Sequence, residues 1–272
     1  MIVRLGTWAD LEAMTAVLIA ASPLDPVYPY RFPDRHLYPA EFAAVCRQKC
    51  AEYLETSTVV VCELPVDAYG SASEVVAFSA WDLPPAAQPA KPARRSSVEP
   101  TSPTSAAFAR SPTTIGNLTR QSAFRAALAE HKQTLFDARY GGHVFLRILL
   151  THPRHQRRGA GTALASWGVG RARALGAYAT VFASPMGLRL YRRLGFREVG
   201  RCRIRVEGEA ETLDLPALAR PPGPTGAMRE ATEGVAAKLD GLVCGRRVSE
   251  CAVGGWDGWD GWDGRDGSTV CA

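Results

Sequence analysis

The sequence predicts one α/β domain, interrupted once and followed by a tail of different composition. Three observations carry this. Short runs rich in Val, Ile and aromatic residues alternate with longer stretches whose apolar residues recur every three or four positions. Hydrophobic residues make up 46% of the 272, the ordinary share for a chain that buries a core. The composition changes abruptly only twice, near Pro84 and after about Glu230.

In chain order, Ile2–Leu5 reads as a first strand. Thr7 stands three residues before Asp10, a relative of the capping box, ahead of an apolar stripe through Leu11, Met14, Val17 and Leu18. That helix is expected to end near Ser22 and Pro23. The stretch DPVYPYRFP sets aromatics between prolines and is expected to lie outside regular helix. A second helix is expected over about Pro39–Leu54, then two strands, TSTVVVCELP and SEVVAFSAWDL, paired antiparallel across a loop containing Asp67 and Gly70. From Pro84 to about Leu118, Pro, Ala, Ser and Thr dominate; so few apolar anchors predict a mobile insertion. Helical spacing resumes in SAFRAALAEHKQTLFDARYG. HVFLRILLT is the strongest strand pattern of the chain. A helix from Gly159 to Leu175 follows it, then a short strand AYATVFA, a last helix GLRLYRRLG and a half-exposed strand REVGRCRIRV. Residues 1–230 are therefore read as one domain. Residues 231–272 are a low-complexity tail whose Trp-Asp-Gly triplets are far too short for a solenoid or propeller.

No apolar run approaches the roughly 20 residues that span a bilayer. MIVRLGTWADLEAM lacks the basic-then-apolar layout of a secretory signal, so a cytoplasmic or nuclear protein without a membrane partner is expected. The seven cysteines are odd in number and lack the paired spacing of a disulfide framework. Cys46 and Cys50 share a helical stripe with Phe42 and Tyr53 and read as core residues. The five histidines form no matching ligand set, and no metal is expected. Thirteen arginines between Arg147 and Arg205 face a single acid, Glu198. Such a face suits nucleic acid, a small polyphosphate ligand, or merely an arginine-biased composition; charge alone does not choose.

The chemistry sits in LRILLTHPRHQRRGAGTALASWGVGRARALG. A strand runs into the turn Gln156-Arg157-Arg158-Gly159-Ala160-Gly161, and the turn opens a helix. Helix N-termini offer backbone N–H groups without acceptors and a partial positive charge, a ready anion site. Gly159 and Gly161 let the backbone approach a phosphate, and Arg157 and Arg158 can add charge-assisted hydrogen bonds. A Walker loop would need a Lys-Ser/Thr pair after its second glycine; a dinucleotide fingerprint would need a third glycine and a later acid. Neither is present. The bland alternative is a glycine turn that only lets strand pass into helix. In the second segment, ATVFASPMGLRLYRRLGFREVG, Tyr191 falls on a short helix ended by Gly195.

Together, Q-R-R-G-A-G after a strand and S-P-M-G-L-R-L-Y-R-R-L-G-F downstream resemble the two signature motifs of GCN5-related N-acetyltransferases, the GNAT superfamily, and look most like its fungal members. The resemblance spans about Met1 to Arg229 and is strongest from His143 to Gly200. It implies a GNAT fold: a mixed central sheet splayed around acetyl-CoA, with flanking helices. It also implies an acyltransferase that passes acetyl from acetyl-CoA to an amine, on a small molecule or a protein, by direct attack in a ternary complex. By matching positions, Leu149 and Thr151 would offer backbone groups to the pantetheine, and Gln156, Arg157, Arg158, Gly159, Ala160, Gly161 and Thr162 would hold the pyrophosphate. Ser184 stands where many relatives have an asparagine contacting the cofactor arm. Tyr191 matches the tyrosine that protonates the departing thiolate. Chemically, an amine of pKa about 10.4 must lose a proton before it attacks, and a phenol can supply one to the sulfur.

The chain departs from the family pattern at the base. Phe145 and Phe182 occupy positions where relatives carry glutamates. His143, two residues from Phe145 and hence on the same strand face, is the candidate proton acceptor; an ordinary strand-end histidine is the alternative. Without an evident carboxylate, a non-catalytic CoA-binding module is the rival reading. A nucleic-acid partner is not expected, because the arginines cluster about a turn suited to CoA.

Overall fold

The computed structural model describes residues 1–66, 73–87 and 116–223. The loop at 67–72, the interior of the expected insertion (88–115) and the tail from 224 lie outside the described residues. Seven strands form one sheet: β1 (Ile2–Leu5), β2 (Thr58–Pro65), β3 (Ser73–Asp82), β4 (Val144–Thr151), β5 (Ala179–Phe182), β6 (Arg197–Arg205) and β7 (Thr212–Arg220), in the order β1-β2-β3-β4-β5-β7-β6. All neighbours are antiparallel except β4 and β5, which run parallel. The helices are α1 (Leu11–Ala21), α2 (Val27–Arg31), α3 (Pro39–Thr56), α4 (Leu118–Lys132), α5 (Ala160–Ala174) and α6 (Pro185–Arg193), with a π-helical turn at Gln133–Asp137 after α4. Among the described residues no helix is long and apolar enough to cross a membrane.

The run TVVVC explains the layering. Val59 and Val61 face α1 and α3, joining Met14, Leu18, Phe42, Cys46 and Cys50; Val60 and Cys62 face α5, joining Trp81, Leu146 and Leu164. A strand buried on both faces has no polar alternation, hence its continuous apolar pattern. Burial pushes the thiols of Cys46 and Cys50 up to about 12, so both are inert core groups. The Thr7–Asp10 capping box forms as the sequence implies: Thr7 N–H donates to Asp10 Oδ2 at 2.8 Å, and Arg4 grips the same carboxylate with two hydrogen bonds of 2.8 and 2.9 Å. α5 lies directly on the indole of Trp81. A Cβ at Gly168 would stand 2.1 Å from Trp81 Cη2, so only glycine permits that approach.

Two elements differ from the sequence reading. DPVYPYRFP contains the helix α2 despite Pro29, because Pro29 is its third residue, where a backbone N–H has no intrahelical acceptor to lose. The strand β7, in TLDLPALAR, escaped the pattern because Pro216 argues against a strand flanked on both sides. The structure resolves the conflict through the end of β5. The Pro216 carbonyl accepts from Ala183 N–H at 2.9 Å, so its nitrogen faces the same side, just past the last residue of β5, and no ladder bond to β6 is lost.

The feature that positions the site is the junction of β4 and β5. β4 pairs with β3 over Phe145–Thr151 but with β5 only over Val144–Leu146. From Arg147 to Thr151 its second edge has no strand partner among the described residues, and the sheet opens there.

Candidate functional site

The open edge of β4 leads straight into the glycine turn. Pro153–His155 forms a single 3₁₀ turn, and Gln156 Nε2 donates to the Thr151 carbonyl at 3.3 Å, tying the loop to the strand. Arg157 and Gly159 both adopt left-handed backbone, at φ 65° and 92°. For Gly159 this costs nothing; for Arg157 it is backbone strain held within the turn. The first intrahelical bond of α5 runs from Ala163 N–H to Gly159 C=O at 2.9 Å, which leaves the N–H groups of Ala160, Gly161 and Thr162 to a ligand. Arg157, Arg158, Gly159 and Thr162 are exposed, whereas Ala160 is buried against the core. The Cα of Gly161 faces Leu149, Thr151 and Leu190: a Cβ there would lie 3.6 Å from each. The structure therefore brings Leu149, Thr151 and the whole turn from Gln156 to Thr162 together at the mouth of the splay.

Behind the mouth lies a cavity of about 680 Å³, within the range of small-molecule sites, lined from α1, α2, α3, α4, β3, β4, β5, β7 and α6. Tyr191 reaches it from α6. Gly195, at φ 85°, ends that helix, and Phe196 turns back so that its N–H meets the Tyr191 carbonyl at 3.1 Å and its ring packs edge-on against the phenol at 5.7 Å. Gly187 leaves room for the ring, since a Cβ there would stand 2.6 Å from Tyr191 Cε2. Burial, with a further contribution from the charge of Asp25, holds the Tyr191 phenol well above its usual pKa, so it stays a proton donor.

Asp25 is the residue that sequence reasoning missed. It precedes α2, lines the same cavity as Tyr191 and Ser184, and accepts from Val27 N–H at 3.1 Å. Burial raises its pKa above the ordinary carboxylate value, although hydrogen bonds from Val27 and the Ser184 side chain pull the other way. Ser184 thus touches the carboxylate as well as starting α6. The only sequence signal was its place at the head of the aromatic and proline-rich stretch DPVYPYRFP.

His143 lies elsewhere. It is buried just before β4, with Nε2 on Asp137 Oδ1 at 2.7 Å and Nδ1 on Thr180 Oγ1 at 2.6 Å, so both ring nitrogens are engaged. It is not among the residues lining the cavity. Burial lowers its pKa, with Asp137 opposing. Between it and the cavity stand Phe145 and Phe182, whose rings meet at 6.0 Å and which both pack on Phe136. Phe145 and Phe182 give this part of the site an aromatic wall. Among the described residues no group of three His, Cys, Asp or Glu side chains is placed to hold a metal.

Residues 126–196, the segment holding the glycine turn and Tyr191, match the model of the acetyltransferase (GNAT) family. No curated protein sequence matches the chain. Among solved structures, the polyamine N-acetyltransferase of Drosophila melanogaster, which catalyses formation of N-acetylagmatine, superposes with a TM-score of 0.53 at 16% identity, over 81% of this chain and 99% of that one. A histone acetyltransferase HPA2-related protein of Corynebacterium glutamicum gives a TM-score of 0.49 at 20% identity, over 81% and 96%. A phosphinothricin acetyltransferase of Sinorhizobium meliloti, solved with acetyl-CoA, gives 0.42 at 17%, over 83% and 90%. The fold is that of the GNAT acetyltransferases: a seven-stranded mixed sheet with flanking helices, opened between its two parallel strands.

Proposed function

We propose that the protein is an acetyl-CoA-dependent N-acetyltransferase in which the amine attacks the thioester directly. The observation that carries the reading is a single cavity, opening on the unpaired edge of β4, that holds both Tyr191 and the carboxylate of Asp25. The N–H groups of Ala160, Gly161 and Thr162, with Arg157 and Arg158 on the rim, suit the pyrophosphate of CoA; residues 147–151 suit the pantetheine amides. Bound acetyl-CoA supplies the activated acetyl thioester. Asp25 takes the proton of the incoming ammonium. Tyr191 gives its proton to the departing sulfur and recovers one from the acylated nitrogen. Both tasks match the direction in which the site moves these groups: a carboxylate of raised pKa is a better base, and a phenol of raised pKa remains protonated. Asp25 is a better candidate base than His143, because it lines the cavity with a carboxylate while both His143 nitrogens are already bonded.

The test is a pH profile. Only ionised Asp25 accepts a proton, so kcat/KM should be full above its raised pKa and fall as pH drops through it, at a pH above that of an ordinary aspartate. Asp25→Asn should lower kcat roughly a hundredfold and abolish that limb. It should also raise Tm at neutral pH, since a carboxylate whose folded pKa is raised costs stability once pH exceeds its unfolded value. An unchanged profile in Asp25→Asn would remove Asp25 as the base. The aromatic wall of Phe145 and Phe182 favours the rival reading, a CoA-binding module without turnover. That reading would be supported by CoA binding without thioester consumption.

A further inference from the structure

The cavity holds two charges of opposite sign that do not meet. Asp25 lies just before α2 and Arg31 is its last residue, and both line the cavity. The five residues of α2, with Pro26 before them, carry the chain from one to the other. The other two acids on the wall are committed elsewhere. Glu52 accepts from Lys49 at 2.8 Å and from Arg147 at 3.2 Å, and Asp82 lies 3.7 Å from Arg147. Among the described residues no carboxylate pairs with Arg31, and none of the cations pairs with Asp25.

Arg31 is set up to hold something. Its guanidinium lies between two rings, 5.1 Å from the centroid of Phe32 and 4.6 Å from that of Phe124, which fixes its plane. Its Nε is sealed from solvent and has no acceptor; the same is true of Gln121 Nε2, on the same cavity wall. Burial pushes the Arg31 pKa down, and the positive charge of Arg125 pushes it the same way. A partly buried cation without an anion is costly, and an anion bound in the cavity relieves that cost.

We propose that the acceptor is an amino acid, an amine that also carries a carboxylate, with its ammonium at Asp25 and its carboxylate on the Arg31 guanidinium. The amine end rests on the N-acetyltransferase reading above; the carboxylate end does not. A zwitterion placed this way pairs both charges, whereas a simple alkylamine leaves Arg31 bare and a polyamine adds a second cation of the same sign as Arg31.

The experiment offers matched pairs to the protein saturated with CoA: glycine beside methylamine, β-alanine beside ethylamine, γ-aminobutyrate beside propylamine, ε-aminocaproate beside pentylamine. Thermal shift reads binding, and acetyl-CoA consumption reads turnover. At least one amino acid should stabilise the protein and outperform its decarboxylated partner by roughly ten- to hundredfold in apparent affinity, the worth of a charge-assisted pair. Arg31→Met, which keeps the apolar stem between the rings, should erase that preference. Arg31→Lys, which restores charge without the guanidinium fork, should recover part of it and keeps the test alive if the Met variant does not fold. Stabilisation by the amino acid without acetyl-CoA consumption would sink the acetyl-transfer reading and leave the anion site standing. Equal response to both members of every pair, or an undiminished preference in both variants, would overturn the proposal.

Discussion

Gly161→Ala separates the ligand role of the glycine turn from its role in folding. Gly161 is the second residue of α5 and its φ is not positive, so alanine meets no backbone strain there. The new Cβ would sit 3.6 Å from Leu149 Cδ2, Leu190 Cδ2 and Thr151 Oγ1, ordinary van der Waals contact. Alanine should therefore leave the fold intact and add up to about 1 kcal/mol through helix propensity. The same methyl projects between β4 and α6, the walls of the mouth proposed to admit CoA. Displacing the phosphate from even one backbone N–H forfeits a charge-assisted bond of about 1.5–3 kcal/mol, or roughly ten- to hundredfold in Kd. The expected signature is a protein that unfolds at equal or higher temperature while binding CoA at least tenfold more weakly, measured by calorimetry beside a thermal melt. Unchanged CoA affinity would refute the phosphate-turn assignment. Gly159 does not permit this separation, because at φ 92° any side chain strains the turn itself.

Gly168→Ala should do the reverse: the methyl collides with Trp81, so a chemical melt should show a loss of about 1–3 kcal/mol, with CoA affinity per folded molecule unaltered. Gly187→Ala should push the Tyr191 ring aside, lowering kcat with little change in CoA Kd; an unaltered kcat would mean that the phenol is not aimed at the reacting atoms.

The parts legible in the sequence are those whose signal is local. The glycine turn after HVFLRILLT and Tyr191 before Gly195 each lie within a short window, because strand, turn and helix cap are set by neighbours in the chain. What stayed hidden depends on distant contacts. Asp25 was indistinguishable from a loop aspartate until α6 brought Ser184 and Tyr191 against it. The engagement of His143 required Asp137 and Thr180, the latter 37 residues downstream. β7 was masked by Pro216, whose cost vanishes only because β5 ends opposite it. Arg31 read as one more arginine in a basic chain; only the absence of an acid around it, among the described residues, marks it out.

The most direct measurement follows acetyl-CoA consumption and N-acetylated product together, across the amine panel, for the parent and for Tyr191→Phe. The ring of Tyr191 would keep its packing on Phe196, so CoA affinity should hold. Turnover should fall about a hundredfold, the low end for a general acid because thiolate leaves fairly well unaided, with kcat and kcat/KM dropping together. Product formation by the parent with that loss in the variant is the expected result. A parent that binds CoA yet consumes no thioester, or a Tyr191→Phe variant that turns over at the parent rate, would contradict it.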